Sequence, residues 1–447
     1  MGAGKAYRFS AAKISLLNLA FRQMATTAVA AQRAPAHYGN LQHTALSAFW
    51  FGSNFLWIPL TTVLIQAQVD EVVPKDVRNT AIGVALGLGG VLAMTVPPLV
   101  GAWSDRLNTR FGRRRPIMVA GTLLTIPGLL ILMAANNYPE IVVGYAIIQF
   151  FFNAAGAAYA GIIPDVVPAQ QVGKASGFLA TMTQLGIGGG LGVTGLLTHN
   201  RAIYLVMGAV AALTLIPTVW AARTEGLTPI APPPRRALGE SVREFLRPLH
   251  EGDFAWVVFT RLMVSSGITV VLYFLVNFFG DVVLGPHQDA AKFTTNWLLV
   301  VVLTALPFGF FGGQISDRIH RRKIFVYLAG AAQAFVAIVF IAFYPTSTSF
   351  VYALGVAYGI GYGLYFAVDW ALACDTLPDP KKSAKDMGLF HIALTLPQAI
   401  LPLFGGALID YLNKHIASNS GYRVVFSSAV LFLFLGTVLV SRIKSVR

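Results

Sequence analysis

The chain reads as an all-α membrane protein of twelve transmembrane helices, arranged as two related six-helix halves. Three observations predict this. Of its 447 residues, 55% are hydrophobic and 12% are charged, roughly half the charged fraction of a soluble domain. Apolar runs of about 20 residues, the length that crosses a hydrocarbon core as a helix, recur along the whole sequence. Landmarks between them repeat at 210 to 212 residues: Pro97 with Pro307, Asp105 with Asp317, Asp165 with Asp375, Gly177 with Gly388. Helix is the state a chain adopts in lipid, because the backbone must satisfy its own hydrogen bonds there. A barrel would show short alternating strands instead.

Residues 1–42 come first. They carry Lys5, Arg8, Lys13, Arg22 and Arg33 and no acid, and Ile14, Leu17, Phe21 and Met24 share one helix face. A membrane-surface helix is the leading reading; a transit peptide or a disordered lead-in are the alternatives. Six apolar runs follow at about 45–66, 79–103, 116–135, 139–163, 175–197 and 202–221. The second and third are joined by a basic loop from Gly101 to Pro116. Gly112 permits the tight reversal there, and Pro116 suits the first turn of the next helix. Glu140 opens the fourth run, where a negative charge is favourable. In the fifth, the glycines from Gly186 to Gly192 predict close helix packing. Residues 222–255 break the pattern with Pro229 and Pro232 to Pro234, then a charged stretch. They form a linker, semi-rigid at first, with a short surface helix over Leu238 to Leu249. The second six runs lie at about 256–280, 294–315, 324–344, 349–372, 386–409 and 423–442, with a shorter basic loop from Gly313 to Lys323. The division is therefore 1–42, 43–221, 222–255, 256–442 and 443–447.

The net charge of +14 does not point to nucleic acid, because its placement is one-sided. Of the 33 Lys and Arg, 26 fall in segments on the side of residues 1–42 and 6 on the other, with Arg261 inside the seventh run. Positive charge marks the cytoplasmic side, so both termini are expected there, in a cell inner membrane and facing anionic headgroups. Cys374 is the lone cysteine. No metal-ligand spacing, phosphate-binding loop or nucleophile elbow is present, so neither a cofactor nor an enzyme activity is expected.

The loop Ser104-Asp105-Arg106…Gly112-Arg113-Arg114-Arg115-Pro116 and its shorter copy at Asp317-Arg318 resemble those of the major facilitator superfamily. The resemblance covers essentially all twelve runs. The triple arginine before proline, with Pro164-Asp165-Val-Val-Pro168 and Asp375-Thr-Leu-Pro378, is similar to the sucrose-transporter and glycoside-transporter-like branch, including its bacterial members. The resemblance implies a secondary transporter moving a sugar, glycoside or similar polyhydroxy solute by rocking its halves about a midplane site, with proton symport as the preferred coupling. Two alternatives stand. One is a non-transporting subunit or assembly factor, with residues 1–42 meeting a membrane-protein partner. The other is an efflux carrier for an amphipathic compound. Asp105, Arg106, Arg113, Asp165, Asp317, Arg318 and Asp375 are expected to gate or orient the loops. The fourth run departs from the plant-type sucrose pattern. Asn153 and Asp165 match it, but Gln149 replaces an acid and Ala160 an arginine. The second run also lacks the carboxylates of the sodium-coupled melibiose-type carriers.

A polyhydroxy solute calls for aromatic planes for its C–H faces and amides or carboxylates for its hydroxyls, converging in an apolar cavity. Trp50, Asn54 and Trp57 share one face of the first helix. Gln149 and Asn153 share a face of the fourth, and Gln184 lies in the fifth. Tyr273 and Asn277 pair on the seventh, Tyr362 and Tyr365 on the tenth, His391 and Gln398 on the eleventh. For each, interfacial anchoring or helix-to-helix hydrogen bonding is the bland alternative. Asp369 is a carboxylate within the membrane, a functional residue by default. It has three readings: a coupling proton site, a gate partner of Arg261, or a solvated group. Asp281, at the outer end of the seventh run, is expected to be solvated.

Overall fold

The computed structural model describes residues 37–445 apart from 105, 108, 198–200, 225–246, 251, 286, 320 and 377–382. Nearly all of the basic N-terminal segment, the core of the linker and Asp105 lie outside the described residues. Twelve long helices follow in order. The first half holds α1 (Asn40–Val72), α2 (Arg78–Ser104), α3 (Arg115–Ala134), α4 (Tyr138–Val166), α5 (Val172–Leu197) and α6 (Ile203–Ala221). The second holds α7 (Gly252–Leu272, resuming at Leu275–Phe278), α8 (Ala290–Ile319), α9 (Arg322–Phe343), α10 (Thr348–Asp375), α11 (Ser383–His415) and α12 (Ser420–Leu439). Among the described residues, eleven helices are long and apolar enough to cross a membrane. The twelfth, α5, is as long as the others. Gln184 and its many glycines lower its hydropathy, because glycine contributes little apolar surface.

Local signals act where expected. Asn137 accepts from the Glu140 N–H at the start of α4, and the Glu140 carboxylate accepts from Asn136 N–H at 2.8 Å, a reciprocal cap. Gly112 turns the α2–α3 loop with φ +97°, and Pro116 lies in the first turn of α3. In α5, Gly186 lies against the Phe51 carbonyl and Gly190 against that of Phe55, which bears out the close packing read from the glycines. Large apolar side chains such as Leu196, Phe343, Ile216 and Phe310 stand exposed. On a soluble protein that area would be a liability; on this helical array it is the lipid-facing band.

Within the first half, α1 packs on α5 and α6, α4 on α2 and α3, and α3 on α6. Within the second, α10 packs on α8 and α9, and α12 on α7 and α9. The halves meet chiefly where α2 lies along α11 and α5 along α8. The loop carrying Arg106 to Arg115 marks one face, hereafter the basic face. The α1–α2 turn, from Val72 to Arg78, marks the opposite face.

Helix α7 departs from the continuous run read in the sequence. It stops at Leu272 and resumes at Leu275, with Phe274 at φ −124° and ψ 12°. The interruption is tolerated because a side chain from the other half fills it. Gln66 of α1, fully buried, donates from Nε2 to the Leu272 carbonyl at 3.2 Å and accepts at Oε1 from the Val276 N–H at 3.3 Å. An amide side chain thus stands in for a peptide group, which a break in a buried helix requires. Gln66→Leu removes both bonds and leaves the two main-chain groups unpaired, at about 1–3 kcal/mol. The expected result is a lower melting temperature of the purified protein in detergent; an unchanged melting curve would refute this role for Gln66.

Candidate functional site

The polar residues inside the bundle fall into three layers. The first closes the opposite face. Asp410 of α11 accepts from the Asn79 side chain at 2.8 Å, from the Thr80 N–H at 2.6 Å and from the Thr80 hydroxyl at 2.7 Å. A carboxylate of one half therefore caps the N-terminus of α2 in the other, where free N–H groups and the helix dipole favour negative charge. Asn277 donates to Asn79 Oδ1 at 2.8 Å and extends this chain to α7. Arg78, 5% exposed, binds Asp70 at 2.5 Å and also pairs with Asp281, which accepts from the Tyr422 hydroxyl at 2.7 Å. Hydrogen bonds and ion pairs that join the halves cluster at this face, with Lys414 of α11 also pairing with Asp76 of the α1–α2 turn.

Two expectations change here. Asp281 is bonded rather than solvated, because α2 and α12 bring Arg78 and Tyr422 onto it. Asn277 is buried in the contact with Asn79, whereas the sequence paired it with Tyr273 toward a cavity.

Glycine makes this closure tight. A Cβ at Gly83 would strike the Pro402 carbonyl, one at Gly406 the Asn79 carbonyl, and one at Gly90 the backbone of Gln398 and Ala399. Main chain lies on main chain from the end of α2 to its middle.

The second layer begins where that contact ends. Gly89 of α2 abuts the Tyr145 ring and Gln149 of α4, while Gly90 beside it touches the α11 backbone at Gln398. Gln149 donates to the Tyr145 hydroxyl at 2.6 Å, and Asn153 donates to Gln149 Oε1 at 2.8 Å. Asn153 sits about 22 Å along α4 from the opposite face, near the middle of the helix. Trp57 packs edge-on to Phe152 with ring centroids 5.5 Å apart, and Trp50 stacks on Tyr159 at 5.9 Å. Asn54 returns its amide to the Trp50 carbonyl at 2.8 Å. Gln184, Tyr362 and Gln398 are half-buried on α5, α10 and α11, and Tyr273 is buried at the α7 break. Sequence reading passed over Tyr145. The spacing Tyr145, Gln149, Asn153 puts all three on one helix face and was the signal available.

The third layer lies nearer the basic face of the second half. Arg261 and Asp369, 8% and 5% exposed, form an ion pair. The Arg261 guanidinium also lies over the Phe390 ring at 3.7 Å, a cation–π contact. The carboxylate of Asp369 is therefore buried and paired, which rules out the solvated reading. Tyr365 sits one turn from Asp369, and His391 is exposed on the next residue after Phe390.

At the basic face each half carries its own bridge. Arg113 holds both oxygens of Asp165 at 2.8 Å, and Arg114 reaches the same carboxylate at 2.7 Å. In the second half Arg322 binds Asp375 at 2.5 Å. Arg106 and Arg318 are exposed; the side chain of Asp317, like Asp105, lies outside the described residues.

A multi-pass helical membrane protein with two six-helix halves, joined at one face and lined with polar side chains at mid-depth, has the architecture of a membrane transporter. The comparisons agree. The model of the Major Facilitator Superfamily matches residues 44–381 and 284–446, and the chain belongs to that family; it is a transporter by class, not an enzyme. Its fold is similar to the crystal structure of a bacterial homologue of the human lysosomal transporter Spinster, inward-facing and unoccupied, at 13% identity and TM-score 0.70, covering 92% of this chain and 98% of that one. It is also similar to a mutant of the nucleoside transporter NupG (13%, TM-score 0.70, 89% and 99%) and to a D-xylose-proton symporter (16%, TM-score 0.62, 91% and 98%). A search of curated protein sequences found no match. At these identities the structural likeness speaks for the fold alone.

Proposed function

We propose that the chain moves an uncharged polyhydroxy solute, a sugar or glycoside, across the membrane by alternating access. Its basic face is cytoplasmic, and the state described is closed toward the outside. The observation that carries this reading is the chemistry of the middle layer. Amides and hydroxyls (Tyr145, Gln149, Asn153, Gln398) stand with aromatic planes (Trp50, Trp57), and the buried charges of Arg261 and Asp369 neutralise each other. A charged solute would need an unmatched charge there. The halves 43–221 and 256–442 act as the rocking bodies, and proton symport is the preferred coupling, with Asp369 as its carboxylate.

The test is uptake of labelled sucrose, D-glucose, D-xylose and myo-inositol into proteoliposomes, with and without an inward proton gradient. Saturable uptake of at least one, lost about 10-fold or more in Trp57→Ala, is the expected result. Gradient-insensitive uptake would remove the proton from the proposal, and absence of uptake for the whole panel would remove the solute class.

A further inference from the structure

The amides of α4 are locked in one orientation, and the lock dictates what a solute must present. Asn153 Nδ2 donates to the Gln149 main-chain carbonyl at 2.7 Å and to Gln149 Oε1 at 2.8 Å. A main-chain carbonyl only accepts, so the nitrogen of Asn153 must point at it; the flipped amide would set oxygen against oxygen. That choice propagates. Gln149 must offer Oε1 to Asn153, and so turns Nε2 to the Tyr145 hydroxyl, 2.6 Å away. Both N–H groups of Asn153 are then spent within its own helix. Its Oδ1 has no hydrogen bond among the described residues and is not sealed off, since it is absent from the buried unpaired atoms. Asn153 is half-buried at mid-depth, beside the layer where the contact between the halves ends.

We infer that Asn153 is a specificity-determining residue that presents an acceptor alone, so the solute must bring a hydrogen-bond donor, a hydroxyl or N–H, to Asn153 Oδ1. Gln149 is a positioning residue that keeps it so. An ether, a ketone or a fluorine at that point of the solute finds no donor and leaves Oδ1 desolvated and unpaired. Sites built on such a bond reject analogues that lack it. Asn54 differs, because one of its two N–H groups remains after its bond to the Trp50 carbonyl; it can meet either kind of group. The inference rests on the proposed solute class and sharpens it.

The experiment takes the panel sugar with the highest uptake and measures inhibition by its complete set of monodeoxyfluoro and mono-O-methyl analogues. In the wild type, one hydroxyl position is expected to lose about 10- to 100-fold in inhibition by both analogues. In Asn153→Ala the parent sugar weakens by the same factor and the penalty at that position disappears. In Gln149→Leu the freed N–H of Asn153 lets it donate, and the analogues regain inhibition relative to the parent; a merely structural Gln149 would weaken parent and analogues alike. Equal inhibition by every analogue in the wild type would overturn the inference while leaving sugar transport standing. A penalty that persists unchanged in Asn153→Ala would move the donor requirement to another residue and overturn it as well. No uptake of any panel sugar would instead sink the proposed solute class beneath it.

Discussion

Gly83→Val and Gly406→Val are each expected to abolish net uptake and to hold the carrier open at the face where its halves now meet. The collision partners are the main-chain carbonyls of Pro402 and Asn79, which cannot step aside as a side-chain tip can. The strain is relieved only when α2 and α11 part. Overpacking of this kind costs about 3 kcal/mol, and that penalty on the closed state shifts its population by more than about 100-fold. Two measurements read it. Uptake should fall to background, and spin labels placed at Lys75 and Lys414, with Cys374 replaced by serine, should move apart. Gly101, at the far end of α2, supplies the control for the label distance: its Cβ would meet nothing within 4 Å in this state, so Gly101→Val should leave the Lys75–Lys414 separation as in the wild type. Near-normal uptake in both variants would mean that the α2–α11 contact is not part of the transport cycle.

The second large effect concerns the buried pair Arg261–Asp369. Replacing Asp369 by leucine strands a guanidinium in an apolar setting, and replacing Arg261 by methionine strands a carboxylate. Either change is expected to cost about 3–5 kcal/mol, whereas replacing both together costs little. Melting curves in detergent should therefore show two weakened single variants and a double variant Arg261→Met/Asp369→Leu near wild type. Uptake adds the functional half: a pair that must separate during transport leaves the double variant stable yet inactive. Single variants that melt like wild type would show that water reaches the pair.

Much of the architecture was legible because lipid leaves the chain few choices. Apolar runs of fixed length gave the helices, and the basic loops marked the helix ends that share one face. The repeat from Asp165 to Asp375 marked two equivalent carboxylates, and each is bonded within its own half, to Arg113 and Arg114 in one case and to Arg322 in the other. The break in α7 was not legible. Nothing between Val270 and Phe279 signals it, because the group that makes it tolerable is Gln66, about 200 residues earlier in the chain. The closure at the face opposite the basic loops was hidden for the same reason. Asp410 reads as one more acid at a helix end until α2 is laid against it. Among the site residues, spacing located Gln149 and Asn153 on one face but gave no direction to their amides. That direction comes from a main-chain carbonyl, which side-chain patterns do not reveal.

The Gln66 amide seated in the α7 gap has a consequence for how the carrier responds to its surroundings. When the halves part at that face, the Leu272 carbonyl, the Val276 N–H and the Gln66 side chain lose one another, and water is the replacement at hand. The same holds for Asn79, Asn277 and Asp410. Each opening thus takes up solvent and each closing expels it. The osmotic pressure of the medium at that face then acts on the conformational equilibrium as a work term, favouring the drier state whenever the osmolyte is too large to enter the cleft.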